Sequence, residues 1–304
     1  MLSRPARRLL GRRALALRLF HTTHPSARKV LQRFKLADIG EGITECEVIK
    51  CYSTSLDLTS LHALLPLLNS HIPSHYRPPT PAPPYPPAVS PSALYPPPPP
   101  PTVPGSGHYT KLTYLPILLK TLSKAMLEWP LFRASITPSP TPPAPNAKPT
   151  LTIRPHADIC IALSTPTGLY TPVLKAADTH SAYALASQLK HLAHLGRQVP
   201  SALTPAELPR RGGTLTVSNV GALGAGEAAM PVLVPGGGVA IVALGRARWV
   251  WDVDRGDGSG ERRLKMGVSW AADHRVVEGA ELAAFVETWR GYVEHPERMI
   301  ADGV

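Results

Sequence analysis

Apolar and polar residues alternate through residues 213–221, Gly-Thr-Leu-Thr-Val-Ser-Asn-Val-Gly, which predicts a half-buried strand that breaks at Gly221 with Ser218 near its end. Residues 157–163, Ala-Asp-Ile-Cys-Ile-Ala-Leu, read as a core strand. A helical apolar pattern opens at Lys111 and runs to Trp129, stopping before Pro130, and its width predicts a mostly buried helix. An amphipathic helix is expected from about Ser181 to Gly196. Residues 269–280 form a Gly-bounded turn leading into a further helix.

Composition changes this picture mainly at the ends of the pattern. Residues 1–28 carry seven arginines and no acid, interleaved with leucines, as in a mitochondrial targeting segment. They contain no 18-residue apolar run, so no membrane span is expected there. The formal charge of +11 falls to +3 without those arginines and Lys29, which removes the main support for nucleic-acid binding. Proline crowds residues 73–104, including the run from Pro96 to Pro101, and recurs in a shorter loop at 138–149. Such composition builds no packed core and predicts two insertions between elements. Cys46, Cys51 and Cys160 show neither metal spacing nor an even disulfide set, and none is assigned a role.

Candidate chemistry concentrates near the C-terminus, where His274 precedes Glu278 by four residues in the stretch Asp273-His274-Arg275-Val276-Val277-Glu278-Gly279. A neutral imidazole of pKa about 6.5 can take a proton from a thiol of pKa about 8.5, and the gap corresponds to roughly 2.7 kcal/mol. Gly221, Gly224 and Gly226 are spaced G-x-x-G-x-G rather than G-x-G-x-x-G, and Pro231 and Pro235 follow, so no helix is available to receive a pyrophosphate.

The segment 273–279 resembles the Asp-His-Arg-x-x-Asp-Gly signature of the dihydrolipoamide acyltransferases, the core components of 2-oxo acid dehydrogenase complexes, with Glu278 where that family has Asp or Asn. Residues 213–221 resemble the family's Thr-x-Ser-Asn-x-Gly stretch. The resemblance extends to Lys111 through Lys120, to residues 129–135, where Arg133 replaces Asn, to residues 168–174, and to residues 239–245 as a Val-Ala-Ile strand. It implies a chloramphenicol acetyltransferase-like α/β fold, a mixed sheet flanked by helices, assembled as homotrimers that can build a larger core. It also implies His274 as general base, Ser218 as donor to the oxyanion and Glu278 as the third catalytic position. Asp273, Arg275, Asn219 and Gly279 would be structural residues near the site. Because family active sites lie between subunits, His274 of one chain would work beside Ser218 of its neighbour.

Residues 34–50 resemble the first strands of a lipoyl domain, in wording most similar to the branched-chain members of the family. No Asp-Lys-Ala hairpin follows Lys50 to present a lipoyl lysine, so residues 29–50 read as a truncated lipoyl fragment and 51–304 as the catalytic domain. The resemblance implies coenzyme A as substrate, a lipoyl group as family cofactor, and a mitochondrial matrix address. The family's partners are the branched-chain 2-oxo acid dehydrogenase and dihydrolipoamide dehydrogenase, whose binding domain is missing here. A remnant that keeps the fold without effective catalysis, and an acyltransferase using coenzyme A with another acceptor, are the alternative functions.

Overall fold

The computed structural model describes residues 33–34, 49–79, 101–137, 150–222, 224, 226–233, 238–254, 256 and 258–301. All belong to the unit spanning residues 31–304. The expected targeting segment, most of the lipoyl-like stretch, the centre of the first Pro-rich insertion and the loop 138–149 lie outside them.

In chain order the elements are β1 (Arg33–Phe34), β2 (Ile49–Asp57), α1 (Thr59–Ser70), α2 (Tyr114–Glu128), β3 (Ala134–Thr137), β4 (Thr150–Ile153), β5 (Ile159–Ile161), β6 (Leu163–Thr165), β7 (Gly168–Tyr170), β8 (Val173–Leu174), α3 (Ala182–Arg197), β9 (Leu215–Asn219), β10 (Ala240–Asp252), β11 (Glu261–Asp273), α4 (Gly279–Glu294) and α5 (Arg298–Ala301). The main sheet has six strands in the order β2-β11-β10-β9-β5-β8. It is mixed, because β9 runs parallel to β10 and β5 while the other pairs are antiparallel. A three-stranded sheet, β1-β4-β3, and the hairpin β6-β7 lie apart from it.

Period-2 alternation assigns the two faces of the main sheet to different tasks. Leu215, Val217, Ala240, Val242, Leu244, Val268, Trp270 and Ala272 point into one core with Leu118 and Leu122 of α2, Leu185 of α3, and Phe285, Val286 and Trp289 of α4. Phe132 stacks on Phe285 with centroids 3.7 Å apart, and Trp270 meets Phe285 and Trp289 edge-on, each at 5.5 Å. The opposite face carries Thr216, Ser218, Ile241, Ala243, Ser269 and Ala271, and no helix of this cluster packs on it.

The helices start and stop for local reasons. Ser181 caps α3, its hydroxyl accepting the Ala184 N–H at 3.1 Å. At the end of α2, Trp129 is the C-cap and Pro130 the next residue, which lacks the N–H needed to continue the helix.

Several expectations shift. The core strand expected over 157–163 divides, since the chain leaves the main sheet at Ala162 and Leu163 begins β6. Pro172, unable to donate, separates β7 from β8. The strand expected to end at Gly245 continues to Asp252 through a register shift between Leu244 and Ala247, and residues 269–273, read as part of a turn, are the end of long strand β11. The boundary at residue 50 falls inside β2, whose Ile49 and Lys50 pair with Asp273 and Ala272. Within the Pro-rich stretch 73–104, Tyr76 is buried and stacks on Tyr109. Strands β3 and β4 pair antiparallel, with Thr137 opposite Thr150, so the loop 138–149 joins two paired strands.

Candidate active site

Ser218 projects from β9 into a cavity of 410 Å³ on the open face of the sheet. That volume lies in the range of about 300–1,000 Å³ usual for small-molecule sites. The walls are mostly apolar, from Ala162, Leu169, Val220, Leu233, Ile241 and Ala243, with hydroxyls from Thr171 and Thr216. Cys160 also lines it. Its sulfur accepts the Gly213 N–H at 3.0 Å, and burial pushes its thiol pKa up. Low thiolate content and this structural hydrogen bond make Cys160 a wall residue rather than a nucleophile. Cys160, given no role from sequence, pairs beside Thr216, two residues before Ser218, which places it on the same face.

The His274 turn is built by Asp273, the last residue of β11. Its backbone N–H donates to Val239 O at 2.9 Å, and its carbonyl accepts the Val276 and Val277 N–H groups, both at 3.0 Å. The Asp273 side chain is 5% exposed. It receives Arg275 Nη2 at 2.7 Å, Arg275 Nε at 3.0 Å and the Arg275 N–H at 3.0 Å. A buried carboxylate satisfied by a fork of donors is a stiff anchor. The half-buried His274 between these two residues is thus held on a closed turn.

Glu278 and Gly279 start α4. Glu278 is the N-cap and Gly279 the first helical residue. The Glu281 carboxylate accepts the Glu278 N–H at 3.0 Å, the half of a capping box that closes from the N3 position. The longer side chain in place of Asp or Asn is exposed at the helix end. Asn219, at the end of β9, faces away from Ser218 into a second cavity of 310 Å³ together with Thr113, Tyr114 and Arg246.

Within one chain the two principal residues do not meet. Ser218 pairs with Ala243, and Ala243 with Ser269. Two strand spacings and the four residues from Ser269 to Asp273 separate Ser218 from Asp273 by about 16 Å, and His274 lies one residue further. Direct proton exchange needs a heavy-atom distance of about 2.6–3.2 Å. Among the described residues no cluster of three His, Cys, Asp or Glu side chains is placed to hold a metal ion. No helix there is long and apolar enough to cross a membrane.

A model of the family described as 2-oxoacid dehydrogenases acyltransferase (catalytic domain) matches residues 104–301. The chain belongs to this acyltransferase family. Among curated relatives, the mitochondrial lipoamide acyltransferase component of the branched-chain alpha-keto acid dehydrogenase complex of Mus musculus is 34% identical over 192 residues, covering 63% of this chain and 37% of the relative. The component of the same name from Caenorhabditis elegans is 33% identical over 196 residues, 64% of this chain and 40% of the relative. The chain thus spans well under half the length of these relatives. Of solved structures, the cubic core of a pyruvate dehydrogenase multienzyme complex superposes with a TM-score of 0.61 at 25% identity, over 83% of this chain and 84% of that one. The mixed sheet flanked by helices expected from the resemblance is the fold of this acyltransferase domain.

Proposed function

We propose that the chain transfers a branched-chain acyl group between the thiols of coenzyme A and dihydrolipoamide, in the mitochondrial matrix, at sites shared between copies of the chain. The observation that carries this reading is the strand pairing that sets Ser218 about 16 Å from Asp273, the residue before His274, while Ser218 opens onto a cavity walled by residues 229–233 on the sheet face away from the helices. A second copy supplying His274 to that face completes the constellation, and a homotrimer is the cyclic assembly the resemblance implies.

In the reaction, the His274 imidazole takes the proton of the attacking thiol, and the thiolate attacks the carbonyl carbon of the partner thioester. The Ser218 hydroxyl donates to the oxygen as it becomes an oxyanion. Collapse of the tetrahedral species expels the other sulfur, which takes the proton back from His274, so one base serves both directions. Asp273 and Arg275 hold the turn, and Glu278 secures the helix behind it. Partner dehydrogenases, the lipoyl group of the relatives, and assembly beyond a trimer follow from the family reading and share its support.

A second reading, weakened catalysis, is favoured by one feature: Glu278, one methylene longer than the family's Asp or Asn, stands with an exposed side chain at the N-cap of α4. Acyl transfer from isobutyryl-coenzyme A to free dihydrolipoamide, measured on the full chain beside His274→Ala, tests the main reading. Turnover that falls at least about 100-fold in the variant is the expected outcome; equal rates in both would remove His274 from the mechanism.

A further inference from the structure

Resting on the acyl-transfer reading above, we infer that Arg154 is a positioning residue for that reaction: its guanidinium holds the Gly212 peptide at one end of the Ser218 cavity, and through it the seat of dihydrolipoamide. Gly212 lines the Ser218 cavity and also a separate cavity of 260 Å³ behind it, which Arg154, His156 and Lys175 line. The Gly212 peptide is thus a partition with room on both sides, and it stays in place only if it is fastened. Gly212 itself has φ +56°, a conformation glycine adopts freely, so its own backbone supplies little stiffness.

Arg154 supplies the fastening. Its side chain is 15% exposed. Nη1 donates to the Asp158 carboxylate at 2.9 Å and to Gly212 O at 2.8 Å, and Nη2 donates to Arg211 O at 3.0 Å. One planar fork therefore joins the residue before β5 to two successive carbonyls ahead of β9, a geometry that a lysine ammonium cannot reproduce. The clamp is anchored in turn. The Arg154 N–H donates to Arg133 O at 2.8 Å, and Arg133, which replaces Asn of the family stretch, donates Nη1 to Arg154 O at 2.7 Å and to Pro155 O at 2.8 Å. Asp158 is held from its other side, its carboxylate accepting the Ala176 N–H at 2.9 Å and its carbonyl the Thr214 N–H at 2.9 Å.

Between Gly212 and Ser218 the cavity wall includes Cys160 and Thr216, and neither side chain is charged. Asp158 balances the charge of Arg154. This stretch suits neutral dihydrolipoamide, and the phosphates of coenzyme A stay outside it. Released from Arg154, the Gly212 peptide can shift into the 260 Å³ behind it. Dihydrolipoamide then loses one end of its seat, while Ser218 and His274 keep their chemistry.

The test measures transfer from isobutyryl-coenzyme A to free dihydrolipoamide by the full chain, Arg154→Gln and Arg154→Lys, varying each substrate in turn and following folding by thermal unfolding. Both variants are expected to raise KM for dihydrolipoamide about tenfold, the scale of one pocket contact. KM for isobutyryl-coenzyme A and kcat should stay within about twofold, the pattern of lost ground-state binding. Arg154→Lys keeps a charge beside Asp158 but not the fork, so it decides the matter if Arg154→Gln does not fold. A parent-like KM for dihydrolipoamide in Arg154→Lys, or a change shared equally by both substrates, would overturn the inference while leaving the acyltransferase reading intact. No transfer by the parent chain would overturn both.

Discussion

Glu278 stands at the N-cap of α4, one methylene longer than the Asp or Asn of the family signature. At the start of α4 its backbone N–H donates to the Glu281 carboxylate. Glu278→Ala should cost about 1 kcal/mol of stability, lowering Tm by about 2–4 °C, whereas Glu278→Asp keeps a capping carboxylate and should leave Tm within a degree. Thermal unfolding of the two variants checks this. Comparing their turnover settles whether Glu278 impairs catalysis, since equal rates for parent and Glu278→Asp remove the impaired reading. Cys160 offers a second residue-scale test. Burial raises its thiol pKa, so the folded state keeps the thiol neutral where the unfolded chain ionises. The linked stability is full below the ordinary thiol pKa of about 8.5 and declines as pH rises through and above it. Alkylation at pH 8, mapped by peptide mass, should label Cys160 more than about tenfold faster in denaturant than in the native protein; equal rates would contradict a buried wall residue.

At the scale of elements, the core depends on one aromatic cluster joining α4 to the sheet. Phe285 is fully buried, stacked on Phe132 and edge-on to Trp270. Phe285→Ala should destabilise the fold by about 3–5 kcal/mol, measured by denaturant unfolding, and a loss under 1 kcal/mol would contradict this role. The helices α2 and α3 and strand β9 were legible because their periodicity and punctuation agree: Pro130 after Trp129, Ser181 before the α3 run, Gly221 after β9. The long hairpin of β10 and β11 was not. Its outer half carries Arg246, Arg248, Arg262 and Arg263 among Trp249 and Trp251, and exposed aromatics beside charges give no clean alternation. The register shift after Leu244 also interrupts the period. The site residues proposed, those of the 273–279 stretch and Ser218, come from sequence motifs. The cavity was not legible, because its walls come from β5, β9, β10 and residues 229–233, which only the sheet order brings together.

For the molecule as a whole, Ser218 near the end of β9 and His274 in the turn after β11 stand apart, by about 16 Å from Ser218 to Asp273. On the proposed function, a single chain holds two half-sites, and catalysis depends on assembly. The most direct measurement mixes Ser218→Ala with His274→Ala chains, unfolds and refolds them together, and assays isobutyryl transfer to dihydrolipoamide. Each variant alone should lose about 100-fold or more in kcat. The co-assembled mixture should regain about one quarter of the parent rate, because random filling of a cyclic assembly from equal amounts pairs the two intact side chains at one site in four. A mixture that co-assembles yet stays as inactive as its parts would contradict a site shared between copies.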